Sequence, residues 1–168
     1  MNSLDFCDRY LPDYWAERDL QLLIQKRLQR WWFLAAPDEV RVKTPASTRR
    51  IDISTWLTVY EIKKWLTRDN IFHAVAQTEL YTFYGPKLMW VFPKRRVVVG
   101  LAPTDESEYE QASRVARDFR RMGVEVIFLN EVGLGFEVPE IGGALLIAGI
   151  IILVVAIAIY FLSGKLSL

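Results

Sequence analysis

Two carboxylates and one lysine stand at a spacing that could support chemistry. Asp52 lies in the segment Arg-Ile-Asp-Ile, and Glu61 and Lys63 follow in the segment Tyr-Glu-Ile-Lys. Because side chains alternate between the two faces of a strand, Glu61 and Lys63 are expected on one face. An antiparallel hairpin with its turn near residues 56–57 would place Asp52 directly opposite Glu61, and opposed residues share a face with Cβ atoms about 5 Å apart. The spacing therefore predicts two carboxylates and one ammonium on a single face of a hairpin.

This arrangement is one that a metal-dependent phosphodiesterase requires. Carboxylates this close repel each other and raise one pKa unless a divalent ion lies between them. Hard oxygen ligands favour Mg²⁺ or Mn²⁺, and Mg²⁺ commonly takes one or two carboxylates and completes its shell with water and substrate phosphate. Lys63 would orient or deprotonate the attacking water, with a pKa that falls in a crowded, positively charged pocket. The alternative is a solvated hairpin face that carries ordinary surface charges.

The elements that must position these residues alternate along the chain. Hydrophobic periodicity and turn residues predict helices at 13–33, 68–84 and 107–122, and strands at 39–43, 49–54, 58–64, 88–92, 96–101 and 124–129. Strands that alternate with helices imply an α/β fold with a central mixed β-sheet flanked by helices.

The motif residues resemble the PD-(D/E)XK signature of the restriction-endonuclease-like nuclease superfamily. Asp52 and the tripeptide Glu61-Ile62-Lys63 match its acidic and basic positions, and Ile51 stands where the pattern has a loosely kept proline. The resemblance covers roughly residues 14–130. It implies a restriction-endonuclease-like core and a nuclease activity.

Three further residues fit the resemblance, and two of them have a second interpretation. Glu17 resembles the acidic residue that many members carry on the first core helix, and its place before the apolar stripe would leave its carboxylate partly buried. The alternative for Glu17 is an acid in a first helical turn, which the helix dipole favours by about 0.3–1 kcal/mol. Gln77 and Tyr81 resemble the glutamine and tyrosine that several branches place on the helix after the motif strand. Gln77 is otherwise a polar residue at the edge of a core stripe.

The predicted site has three sets of residues and binds Mg²⁺ or Mn²⁺. The catalytic residues would be Asp52, Glu61, Lys63 and Gln77. The metal ligands would be Glu17, Asp52, Glu61 and the backbone carbonyl of Ile62. Nucleic acid would be bound by Arg49, Arg50, Lys64, Arg68 and Tyr81.

Charge is distributed unevenly around these residues. Residues 41–96 contain eleven Lys or Arg against four acids, whereas residues 97–140 contain four against nine. Positive charge near two carboxylates is expected where a polyanion must approach them. His73 is the only histidine and Cys7 the only cysteine, which leaves little material for a zinc site or a Ser-His-Asp triad. One cysteine also forms no intrachain disulfide, in agreement with a reducing compartment.

An uncharged apolar segment occupies residues 141–162. At about 1.5 Å per residue, a helix of this length reaches about 33 Å and spans a bilayer core of about 30 Å. We therefore predict a nuclease-like domain at 1–130, a linker at 131–140, a transmembrane helix at 141–162 and a short tail at 163–168. This layout is that of a single-pass, tail-anchored membrane protein whose soluble domain faces the cytoplasm.

These patterns together predict a membrane-anchored, Mg²⁺-dependent endonuclease that hydrolyses phosphodiester bonds of nucleic acid, with DNA favoured over RNA. The alternative from another class is a catalytically silent, membrane-tethered adaptor that binds nucleic acid or protein. A third interpretation is a structural membrane protein whose soluble domain mediates assembly. Because many members of the superfamily act as dimers, the resemblance also allows a homodimer, although the sequence identifies no dimer face.

Overall fold

A computed structural model describes residues 2–29, 38–88 and 91–133, together with residues 149, 152–155, 157 and 159 near the C-terminus. The chain divides into two compact units, Met1–Phe136 and Glu137–Leu168. The candidate residues of the sequence analysis all lie in the first unit.

The first unit has an α/β fold with a central mixed sheet flanked by helices, which confirms the predicted class. Five strands have the order β1-β2-β3-β6-β7; β1, β2 and β3 are antiparallel neighbours, whereas β3, β6 and β7 are parallel. Strands β4 and β5 form a separate two-stranded sheet. In chain order the elements are α1 (Ser3–Tyr10), α2 (Glu17–Gln29), β1 (Asp38–Lys43), β2 (Thr48–Ser54), β3 (Thr58–Trp65), α3 (Arg68–Tyr84), β4 (Lys87–Leu88), β5 (Phe92–Pro93), β6 (Arg95–Leu101), α4 (Glu106–Arg121), β7 (Val124–Phe128) and α5 (Leu129–Val132).

The predicted hairpin forms between β2 and β3. Its turn is closed by the backbone N–H of Thr55, which donates to the carbonyl of Thr58 at 2.9 Å, and by the Thr55 hydroxyl oxygen, which accepts from the N–H of Thr58 at 3.1 Å. Ile53 lies opposite Tyr60 in this hairpin. Strand β3 is central because β2 and β6 pair with its two edges, and its first five residues are buried.

The core on one face of the sheet is built by α3 and α4. Side chains of these helices pack against β6 and β7, and Tyr81 near the end of α3 packs with apolar residues of β1, β2 and β3. The close approach of strand to strand explains a glycine at position 100, since a Cβ there would overlap the Lys63 carbonyl oxygen and lie 2.9 Å from Leu66 Cγ. The fully buried members of the larger cluster are Leu66, Ile71, Ala74, Val98 and Ala112.

Two predicted elements differ from the structure. The helix predicted at 13–33 begins at Glu17, and residues 30–37 lie outside the described part of the chain. The strand predicted at 88–92 is replaced by the two-residue strands β4 and β5, which pair with each other. The structure also contains α1, which the periodicity did not predict. That helix is fixed by tertiary contacts, with Phe6 fully buried and the Ser3 hydroxyl donating to the Ala102 carbonyl at 2.7 Å.

The predicted membrane segment falls mostly outside the described residues. The described residues between 149 and 159 are helical, and six of their apolar side chains are 47–69% exposed. Within the part of the chain that the structure describes, no helix is both long and apolar enough to cross a membrane. Helix α5 includes residues 131 and 132 of the predicted linker, whereas 134–140 and the tail at 163–168 are not described.

Candidate active site

Glu61 and Lys63 occupy neighbouring positions on one face of the central strand β3. The Lys63 Nζ lies 2.8 Å from Glu61 Oε1, and the side chain of Glu61 is only 2% exposed against 18% for Lys63. A charged pair is seldom buried to this extent without a reason, because each charge loses its hydration. The two side chains lie on one face of β3, as the alternation predicts, and their ion pair lies inside the domain.

Tyr81 of α3 holds the second oxygen of Glu61. Its hydroxyl lies 2.6 Å from the carbonyl oxygen of Arg50 and 3.1 Å from Glu61 Oε2, and it donates its one proton between these two acceptors. The ring is 2% exposed, so Tyr81 lies in the core and not on the surface expected of a nucleic-acid contact. Its geometry instead fixes the orientation of Glu61 against β2.

Asp52 is placed differently from the simple hairpin expectation. The register that pairs Ile53 with Tyr60 would bring Asp52 opposite Glu61, but the β2–β3 pairing ends at Ile53. The backbone N–H of Ile62 donates to Asp52 Oδ2 at 2.7 Å, so the carboxylate replaces a backbone acceptor in the sheet ladder. The side chain thus lies between the two strands.

Gln21 of α2 stabilises this local break in β2. Its side chain is 7% exposed, and Nε2 donates to the Asp52 carbonyl oxygen at 2.7 Å. The bond supplies a partner for a backbone carbonyl that the sheet does not pair. Gln21 was not predicted as a site residue; the available signal was an amide next to Leu20 on the buried side of an amphipathic helix.

Burial and mutual repulsion dominate the electrostatics of the two carboxylates. Burial, followed by the charge of Asp52, raises the pKa of Glu61 to about 7, although Lys63 and Tyr81 oppose this change. Burial also raises the pKa of Asp52, against the stabilising N–H of Ile62 and the charge of Lys63. The predicted fall in the Lys63 pKa is wrong for this arrangement. Burial does lower it, but the carboxylates of Glu61, Glu17 and Asp52 outweigh burial and raise the pKa of Lys63.

Glu17 begins α2 and reaches the motif strand. Its Oε2 accepts a hydrogen bond from the backbone N–H of Lys64 at 3.0 Å, and the residue is exposed where the sequence predicted partial burial. The Lys64 ammonium contacts the carbonyl oxygen of Trp15 at 3.2 Å and lies 4.3 Å from the centre of a Trp15 ring. Lys64 is therefore engaged with the segment before α2.

A cleft of about 460 Å³ opens beside Lys63. Its polar lining comes from β2, β3 and one side of α3, and carries hydrogen-bond donors but no carboxylate. Gln77 lies in this lining, as the prediction for a site residue requires, and Arg49 is the one predicted nucleic-acid contact there. The lining residues are Arg49, Lys63, Asn70, His73, Ala76, Gln77 and Leu80. Asn70 and His73 were not predicted as site residues, although both lie one or two helical turns before Gln77.

Two further predicted contacts lie elsewhere on the surface. Arg50 is exposed and forms an ion pair with Glu39 at 3.2 Å. Arg68 is exposed at the start of α3, with its guanidinium 6.0 Å from the centre of the Phe72 ring. Neither residue lines the cleft.

The chain matches no protein-family model, no curated protein and no solved structure. The resemblance to the PD-(D/E)XK superfamily therefore rests on the residues and strand order of this chain.

The oxygen atoms around Asp52 are compatible with binding of a hard divalent cation. Asp52 Oδ1 has no hydrogen-bond partner among the described residues. The N–H and C=O of one strand residue point to the same side, so the Ile62 carbonyl faces β2 as its N–H does. Within the described residues no group of three or more His, Cys, Asp or Glu is arranged to hold a metal. Mg²⁺ does not require such a group, since one or two carboxylates with a carbonyl and water complete its shell.

Proposed function

We propose that this protein is a membrane-anchored, metal-dependent endonuclease that hydrolyses phosphodiester bonds of nucleic acid, with DNA as the favoured substrate. The observation that carries the proposal is the buried Glu61–Lys63 pair beside Asp52, next to a cleft lined by donors. A pair whose only role was stability would be a weak choice at this position, because apolar residues of similar volume often stabilise a core as well or better.

Within the α/β class, the strand order supports a restriction-endonuclease-like core. Three antiparallel strands are followed by a helix and a parallel strand, with Asp52 on the second strand and Glu61 and Lys63 on the third. The downstream order of motif strand, helix and strand matches that of the superfamily this chain resembles.

Each residue has a role that follows from its contacts. Asp52, Glu61 and the Ile62 carbonyl would hold Mg²⁺ or Mn²⁺, and the bound cation would stabilise negative charge on the scissile phosphate. The carboxylates around Lys63 raise its pKa, which favours a protonated lysine that orients the attacking water and donates to phosphate oxygens. Tyr81 holds Glu61 in place. The Glu17 carboxylate lies close enough to Lys63 and Asp52 to raise the pKa of each.

The cleft accounts for substrate approach. Arg49, His73 and Gln77 present donors along one wall, and a phosphodiester backbone is the polyanion that such a wall attracts. The apolar segment at 141–162 would anchor the domain in a membrane with the nuclease on the cytoplasmic side, as the sequence predicts.

The adaptor remains the competing function, and one observation favours it. Glu61 already has a partner on each of its two oxygens, Lys63 and Tyr81, so the pair is satisfied without a metal. An adaptor would bind nucleic acid through the cleft in EDTA and would not cleave it.

Cleavage by the full chain tests the proposal. Labelled single-stranded and duplex DNA and RNA are incubated with Mg²⁺, Mn²⁺ or EDTA, using wild type, Asp52→Asn and Lys63→Ala. Lys87→Ala serves as the control, because Lys87 is an exposed lysine on β4 outside the cleft lining. We expect metal-dependent cleavage that falls by about 100-fold or more in the two site variants, as is typical when one charge-stabilising group is removed. Full activity of Lys63→Ala would contradict the proposal, and binding without cleavage by wild type would establish the adaptor.

A further inference from the structure

A second cavity lies at the carboxyl end of strand β6, apart from the cleft beside Lys63. It has a volume of about 330 Å³ and is lined by the first residues of α1 and α4 and by the segment that follows β7. Open α/β sheets commonly bind ligands outside the carboxyl ends of their parallel strands. We call it the β6-end cavity and define it by Ser3, Ala102, Glu106, Tyr109, Asn130 and Glu131.

Two helices begin at this cavity. Helix α1 starts at Ser3 and α4 at Glu106, and residues of both first turns form its wall. The first N–H groups of a helix have no partner within it and carry a partial positive charge. In α4 the Asp105 carboxylate already caps this end, accepting from the Glu108 N–H at 2.9 Å, whereas α1 is capped by the neutral amide of Asn2, which accepts from the Asp5 N–H at 2.7 Å. The start of α1 is therefore the one of the two that favours an anion. The Ser3 hydroxyl donates to the Ala102 carbonyl at 2.7 Å, which fixes the start of α1 against the end of β6.

A buried amide supplies an independent donor. Asn130 is 8% exposed, and its Oδ1 accepts from the N–H of Ala102 at 2.8 Å, which determines that Nδ2 is the opposite end of the amide. Nδ2 has no hydrogen-bond partner among the described residues. It is also not one of the described side-chain atoms that are both unpaired and fully buried. Asn130 lines the cavity, and we take Nδ2, the unpaired end of its amide, as the donor that faces it.

The rim of the same cavity carries negative charge. Glu106 and Glu131 are both exposed lining residues, and Glu131 Oε1 accepts a hydrogen bond from the Tyr109 hydroxyl at 2.6 Å. A simple anion would meet the start of α1 and the Asn130 amide favourably but would be repelled by these two carboxylates. A simple cation would be attracted by the two carboxylates but repelled by the donor side of the cavity.

We propose that the β6-end cavity binds a small zwitterion of the α-amino acid class. The ligand carboxylate accepts from Asn130 Nδ2 and from first-turn N–H groups of α1. Its ammonium donates to the carboxylates of Glu131 and Glu106. The proposal is independent of the nuclease, since none of these residues belongs to the site around Glu61.

Isothermal calorimetry of the full chain with each of the twenty free amino acids tests this inference. Glu131→Gln removes the charge while keeping an acceptor for Tyr109, and Asn130→Asp removes the Nδ2 donor while keeping the acceptor for Ala102. Glu110→Gln is the matched control, an exposed acid on α4 outside the cavity lining. We expect at least one amino acid to bind, with affinity about tenfold or more weaker in both cavity variants and unchanged in the control, because each loses a hydrogen bond to a charged group.

Analogues of the binding amino acid identify the two halves of the site. The amine without the carboxylate and the acid without the ammonium should each bind at least about tenfold more weakly. The inference is overturned if no amino acid binds, if both cavity variants bind as wild type does, or if either analogue binds as tightly as the parent amino acid.

Discussion

The buried carboxyl of Glu61 should make the protein less stable as the pH rises from 4.5 to 7. Its pKa moves from the ordinary value of 4.5 in the unfolded chain to about 7 in the fold, chiefly because burial disfavours the charged form. Below pH 4.5 both states carry the proton. Between the two values the folded protein retains a proton that the unfolded chain releases, so rising pH favours unfolding.

The size of the effect follows from the two pKa values. One pKa unit corresponds to 1.36 kcal/mol, so a change from 4.5 to about 7 lowers the free energy of unfolding by about 3 kcal/mol across this window. No discount for solvent screening applies, since the side chain is 2% exposed. The raised pKa of Asp52 acts in the same direction. Above pH 7 the loss of stability is complete, and Glu61 no longer makes the free energy of unfolding depend on pH.

Glu61→Gln isolates this contribution, because glutamine has the same shape, does not titrate and can still accept from Tyr81. Denaturant unfolding of the full chain, followed at pH 4.5, 5.5, 6.5 and 8, should show a smaller fall in stability with pH in the variant by about 3 kcal/mol. Glu110→Gln, an exposed acid on α4, should follow wild type. The reasoning is refuted if wild type and Glu61→Gln have parallel stability curves across this range.

Three other predictions concern positioning and packing. Gln21→Leu should lower the free energy of unfolding by about 1–2 kcal/mol in denaturant titrations, because it leaves the Asp52 carbonyl unpaired at a buried position; an unchanged midpoint would contradict this role. Tyr81→Phe removes a donor from Glu61 and should raise its pKa further, which carboxyl NMR titration would detect; a lower pKa would be the opposite of the expectation. Gly100→Ala should cost about 1–3 kcal/mol in thermal unfolding, since the new methyl group meets β3 backbone and the Leu66 side chain, and an unaltered melting temperature would show that the strands can separate.

Local patterns were sufficient to predict the hairpin that carries the motif. The alternation along β3 and the turn at residues 55–58 are local properties, and they determine which residues of β2 and β3 face each other. What they could not predict is the break at Asp52. That break depends on Gln21 from a helix 31 residues earlier, which supplies the partner for a carbonyl that a regular ladder would have paired.

Burial of Tyr81 shows a similar limit. The sequence placed Tyr81 on a helix and near the motif, but whether its ring faced outward depended on where α3 packs. In the fold Tyr81 joins Val42, Ile51 and Val59 in a small core under β1, β2 and β3. Helix α1 could not be predicted for the same reason, since its Ser3 contact spans 99 residues of sequence.

If the proposed nuclease activity has been lost in some lineages of this domain, those lineages should still keep a hydrogen-bond acceptor at position 52. An alanine there would leave the N–H of Ile62 without its partner inside the sheet, at a cost of about 1–3 kcal/mol, which is a large part of the 5–15 kcal/mol that holds an ordinary domain folded. Loss of the Lys63 side chain is expected to destabilise the fold less, because Glu61 can take up a proton when the ammonium is absent. Among diverged copies, an aspartate or asparagine at position 52 would therefore record selection for folding, whereas a retained Lys63 would record selection for chemistry.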